Sequence, residues 1–186
     1  MIMLISPSEV KGASYLGDNF DEQLLGKAIR EAQEIHLQSI IGTALLDKIK
    51  TLIENELDGK PDKISDSGNT VYKTLLDDYI SPYLAEKTQS VVVLPITLKT
   101  RNMGLVKNSD ENANAQSTDD IYRAQRRYNT TADRYATQIS MYLCKHRAEL
   151  PELDANCGCD YYVKPVIGKK FINVPLNLAI NDSNCC

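Results

Sequence analysis

The chain has 186 residues, of which 42% are hydrophobic and 25% charged, and its formal net charge is −4. That length and mix suit one globular domain with its own core, with or without arms. The acidic balance argues against a general nucleic-acid binder, whose footprint is a basic excess.

Ten Tyr, two Phe and no Trp make an unusual aromatic set. Tyr has an apolar body and a polar tip, so this set points to half-buried surfaces and subunit contacts as much as to a dry core. The start, MIMLISPSEVKG, has no basic stretch ahead of its short apolar run and does not read as an export signal. SVVVLPITL falls well short of the roughly 18 residues that cross a bilayer. The expectation is a chain that folds in a cytoplasm and touches no membrane.

Residues 1–18 are short and mixed and read as a lead-in strand or arm. Asn19, with Glu22 three residues on, gives a capping-box pattern for a first helix. Leu25, Ile29, Ala32, Ile35 and Ile40 then recur at helical spacing up to Gly42, the natural stop. A second helix, capped by Thr43, carries Leu45, Ile49, Leu52, Ile53 and Leu57 on one side. The tight glycine turn favours an antiparallel or angled pair.

DGKPDKISDSGN is a loop by its Gly, Pro, Asp and Ser content. A third helix follows, with Val71, Leu75, Leu76, Tyr79, Ile80, Tyr83 and Leu84 at helical spacing. Pro82 should kink or divide it near Ile80, and Pro95 should mark its end or a second bend. Residues 99–117 show almost no apolar periodicity; so long a connection is usually functional or disordered, and RNMGLVKN suits a short hairpin arm.

The clearest element is the last helix. Ser117 or Thr118 caps it, Asp119 and Asp120 meet its positive end, and Lys145 and Arg147 its negative end. Ile121, Ala124, Tyr128, Ala132, Tyr135, Ile139 and Tyr142 form its stripe, and Pro151 should end it. Residues 154–186 read as an extended, partly β arm. The fold class is thus mainly α: a four-helix bundle-like domain over residues 1–153, with a long loop at 99–117 and a C-terminal arm.

Chemistry is scarce. No phosphate-binding glycine loop, H-E-x-x-H or G-x-S-x-G is present. His36 has Ala32 and Ile40 one turn away on either side, so no second ligand shares its face; a packed or boundary residue is expected. His146, at the end of the last helix, is accounted for by the helix dipole. Asp77 and Asp78 point about 100° apart on a helix and suit a solvated face. Five cysteines are present: Cys144, and Cys157, Cys159, Cys185 and Cys186 within the last thirty residues. Their spacing is not that of a zinc pair, and free thiols on a tail are expected. The expectation is no catalytic residue, no metal and no cofactor.

Arg123, Arg126, Arg127 and Arg134 make the last helix basic. The readings are phosphate contact, a solvated face, or a partner surface, in which Arg and Tyr are enriched. The acidic remainder favours the partner surface. Residues 18–66 hold eleven acids and six bases, whereas 119–147 hold three acids and six bases. One acidic end and one basic helix allow head-to-tail docking of copies.

The order of features resembles the neck-ring, or head–tail connector, proteins of tailed bacteriophages, closest to the versions from phages of Bacteroidetes. The similar pieces are MLISPSEVKG, AIREAQEIHLQSIIGTALLDKI, VYKTLLDDYISPYLAEKT, TRNMGLVKNSDENANAQS, IYRAQRRYNTTADRYATQISMYL and ELPEL, together spanning roughly residues 1–153. The resemblance implies a virion subunit, assembled in the host cytoplasm, that forms a ring of about twelve copies beneath the portal. Its partners would be itself, the portal, neighbouring neck or tail proteins, and genomic DNA passing through the channel without specific contacts. A net acidic subunit suits such a channel, because weak repulsion keeps DNA from sticking. Candidate interface residues are Arg123, Arg126, Arg127 and Arg134, with Arg101, Asn102, Gly104 and Lys107 on the loop and Tyr161 and Tyr162 on the arm. The alternative is a small helical binding module that holds nucleic acid or an acidic partner with its Arg/Tyr helix.

Overall fold

The computed structural model describes residues 2–14, 20–101, 104–107 and 118–153. Expectations for Asn19, Asn102, most of the 99–117 loop, the C-terminal arm and the four tail cysteines lie outside them. The architecture is mainly helical, with four long rods as expected and a short fifth helix ahead of them.

That first helix, α1 (Pro7–Gly12), stands where the sequence suggests a strand or arm. Its cause is local. The Ser6 hydroxyl accepts from the Glu9 N–H, the Glu9 carboxylate accepts from the Ser6 N–H, and Pro7 opens the helix. This is a complete capping box.

The first rod joins α2 (Glu22–Glu31), a widened π-helical stretch (Ala32–Leu37) and α3 (Gln38–Ile41). Its cap is Asp21, whose carboxylate accepts from the N–H groups of Gln23 and Leu24. The widened stretch matters for the core. Leu25, Ile29, Gln33, Leu37 and Ile41 are all fully buried, in steps of four. In an ordinary helix each such step drifts about 40°, so sixteen residues would carry the row nearly to the opposite face. Here the Gln38 N–H bonds to the Gln33 carbonyl five residues back, and the extra residue in the turn brings the row back into register. Ile35, expected in the core, is instead 62% exposed.

Gly42 ends the rod and starts α4 (Thr43–Leu57) at φ 82, ψ 164, a region closed to other residues. Thr43 is the first residue of α4 rather than its cap; its hydroxyl accepts from the Gln38 side chain at 2.9 Å. Leu45, Leu46, Ile49 and Leu52 are buried. Each contributes about 1.5–3 kcal/mol. Leu57, expected on the same stripe, is 76% exposed, because α4 outruns its packing partners there.

The third rod runs through α5 (Thr70–Thr74), a second π-helical stretch (Leu75–Ile80) and α6 (Ser81–Thr97). Pro82 does not divide it. The widened turn ends just ahead of Pro82, the Ser81 N–H reaches back to the Leu76 carbonyl, and the backbone stays helical at Leu75 and Ser81. The extra residue relieves the clash a proline ring makes with the preceding turn. Pro95 does not end the helix, which continues to Thr97. A two-stranded antiparallel ribbon follows, β1 (Leu98–Arg101) against β2 (Gly104–Lys107).

The last rod, α7 (Thr118–Lys145), ends at Lys145, before Pro151; single turns at Arg147–Glu149 and Pro151–Leu153 complete the described chain. α6 is central, packed along α7 on one side and α2 on another. α6 and α7 run antiparallel: Lys87 and Ser90 bond Asn129, while Val71, near the start of the same rod, bonds Tyr142.

Candidate subunit interface

The outer face of α7 is prepared by what lies beneath it. Its C-terminal half buries Ala136, Ile139, Tyr142 and Leu143, and the Tyr142 hydroxyl donates to the Val71 carbonyl at 3.0 Å. Tyr142 lies 4.7 Å from the Tyr79 ring and stacks on His146 at 4.4 Å. The His146 Nδ1 is 2.8 Å from a Glu149 carboxylate oxygen, which gives that histidine a structural place. The N-terminal half is held by a polar seam instead. Lys87 Nζ and the Ser90 hydroxyl both donate to Asn129 Oδ1, at 2.9 and 2.7 Å, and Gln125 Nε2 donates to the Ser90 carbonyl at 3.2 Å. Thr88 Oγ1 and Gln89 Oε1 are buried beside this seam without a hydrogen-bond partner among the described residues.

Burial sets the ionisation there. It lowers the Lys87 pKa, against the pull of Asp133 and Glu31. It raises the Glu86 carboxyl, with the Arg127 guanidinium acting the other way. His36, half-buried on the widened stretch, is lowered first by burial and then by Lys87. These shifts are consequences of packing cations and acids between rods.

Outward, Arg123, Arg126, Arg127 and Arg134 are all exposed. At 3.6 residues per turn they fall within an arc of about 100°. None makes an ion pair with a carboxylate among the described residues. Met141, 68% exposed, continues the same line, and Tyr122, 45% exposed, flanks it. The tyrosines of α7's apolar stripe lie elsewhere: Tyr128 and Tyr135 are half-buried and Tyr142 is buried. Arg101 and Gly104 are paired at the turn end of the ribbon, and Lys107 pairs with Leu98 at its base. Asn102, Tyr161 and Tyr162 lie outside the described residues. The structure therefore brings the four α7 arginines together and places Arg101, Gly104 and Lys107 on the ribbon instead.

A second surface lies at the far end, where the sequence puts Leu57 on the apolar stripe of the second helix, followed by a loop. Leu57 stands exposed at the end of α4 among Glu54, Glu56 and Asp58, all exposed. The following loop is rigidly tied. The Lys60 N–H donates to the Asn55 carbonyl at 2.8 Å and the Ile64 N–H to the Leu52 carbonyl at 3.3 Å. Asn69 Nδ2 donates to Asp62 Oδ1 and the Lys63 carbonyl, both at 2.7 Å. The Asn69 amide and Lys48 lower the Asp62 pKa. The Tyr72 hydroxyl donates to the Glu152 carboxylate at 2.9 Å and closes this end of the bundle; burial and Glu152 push that phenol upward. The available signal was Leu57 itself, an apolar residue hemmed by acids just before Asp-Gly.

Asp77 pairs with Lys73 one turn away, and Asp77 and Asp78 are both exposed, as a solvated face requires. Among the described residues no group of three or more His, Cys, Asp or Glu is placed to hold a metal ion. Among them, too, no helix is long and apolar enough to cross a membrane. No curated protein and no solved structure matches the chain. A family model described as "Family of unknown function (DUF6712)" matches residues 37–163, which takes in the acidic end, the whole of α7 and its arginine stripe. That match covers more than half of the chain, which belongs to the DUF6712 family.

Proposed function

We propose that this protein is a structural subunit of a head–tail connector ring in a tailed bacteriophage, extending the portal channel and docking the tail without catalysis. The phage assignment rests on the resemblance over residues 1–153. The observation that carries self-assembly is the placement of opposite charge at opposite ends of the bundle. The acidic end sits beside Tyr72 and Glu152, and the arginine stripe begins beside Ser90 and Gln125. A surface and its complement on different parts of one molecule give heterologous contacts, which close into rings when the rotation permits.

The exposed arginines also favour a second reading, a lone module that grips nucleic acid through α7. Size-exclusion chromatography with light scattering across protein concentration separates the two. A ring subunit gives a large multiple of its 20.8 kDa mass as concentration rises. A persistent monomer that binds DNA with a steep salt dependence overturns the ring reading.

A further inference from the structure

We propose that the acidic knob around Leu57 in one molecule docks on the arginine stripe of α7 in a second copy. The proposal rests on the ring reading above and adds the two surfaces that meet. Residues 54–66 hold five acids against two bases, and residues 121–134 hold four bases against one acid, net charges of −3 and +3. Each surface also offers apolar area: Leu57 is 76% exposed on the knob, and Tyr122, beside the arginines, is 45% exposed on α7. An apolar anchor with a charged surround is the usual anatomy of a specific contact. Arginine forks take carboxylates in a planar, two-bonded fashion that lysine cannot match.

The knob is preorganised. Its loop is fixed by Asn55, Ile64 and Asn69 through the bonds given above, so little ordering cost falls on binding. The two surfaces cannot meet within one molecule. Val71, beside the knob, faces Tyr142, whereas the stripe centres on Arg126 and Arg127. Sixteen residues of helix separate Tyr142 from Arg126, about 24 Å at 1.5 Å per residue. Only another copy brings knob and stripe together, and the contact is head-to-tail.

Charge exchange tests this. One variant carries Glu54→Arg with Asp58→Arg; the other carries Arg126→Glu with Arg127→Glu. All four positions are exposed, so thermal melts should stay close to that of the parent. Each variant alone then sets like charge against like and should raise the midpoint concentration of assembly by roughly 100-fold. Mixed in equal amounts, the two regain complementary contacts at every joint and should assemble near the parent midpoint. Sodium chloride added to the parent protein is a readout that needs no substitution: assembly should weaken as salt rises. Parent assembly that neither variant disturbs, that salt strengthens, or that the mixture fails to restore overturns the knob-to-stripe contact and leaves the ring reading standing. A parent protein that stays monomeric at every concentration overturns both.

Discussion

Gln33 shows how one side chain can decide the course of the chain's first residues. It is fully buried on the widened part of the first rod. Its Oε1 accepts from the Leu4 N–H at 2.9 Å and its Nε2 donates to the Ile2 carbonyl at 3.1 Å. Leucine there strands both backbone groups, and a buried group left without a partner costs about 1–3 kcal/mol. Gln33→Leu should therefore lose stability in that range by urea unfolding, whereas Ile35→Ser should change it by less than about 0.5 kcal/mol. A straight helix with Ile35 in the core predicts the reverse order. His36, three residues after Gln33 and next to Ile35, has a pKa lowered by burial and by Lys87. The unfolded chain takes up its proton near pH 6.5 while the folded form still resists it. Stability from this group is thus full above that pH and falls as the pH drops through it toward the folded value. Melting temperatures of the parent should decline between about pH 7.5 and 5.5, and His36→Gln should flatten that part of the curve. Equal slopes for the two proteins would show that another group carries the effect.

At the scale of elements, two glycines in the first rod and its turn should respond with opposite sign to alanine. Gly26 lies inside α2, and a Cβ added there meets nothing within 4 Å. Alanine should stabilise by about 0.5–1 kcal/mol, since it restricts the unfolded chain and suits the helix. Gly42, at φ 82 and ψ 164, should lose about 1–3 kcal/mol on the same change. Chemical denaturation of both variants checks the pair. Gly42 was readable in the sequence as a stop, and so were α4, α7 and the central rod, because their apolar spacing is that of an ordinary helix. The widened turns were not. One precedes Pro82, a cue to strain but not to its form, and the other has no breaker at all: its only trace is burial in steps of four at Leu25, Ile29, Gln33, Leu37 and Ile41. The helix α1 had its signal in Ser6, Pro7 and Glu9, a local pattern outweighed by the mixed character of the residues around it.

For the molecule as a whole, the arginine face of α7 was legible because Arg123, Arg127 and Arg134 repeat at helical spacing opposite the apolar stripe. The knob at Leu57 was not. Periodicity within α4 assigns Leu57 to the core, and only the packing of the other rods shows it standing 76% exposed among the described residues. Its position at one end and the arginines toward the other turn a difference in charge counts into a direction, and a direction is what head-to-tail assembly needs. Four rods tied at one end by Tyr72 and Glu152 and along the middle by Lys87, Ser90 and Asn129 make a stiff molecule with unlike ends. Electron microscopy of the full chain at concentrations where it assembles tests the central claim most directly. Closed, rotationally symmetric rings with an axial opening are the predicted result; isolated monomers at every concentration, or open filaments that never close, would contradict it.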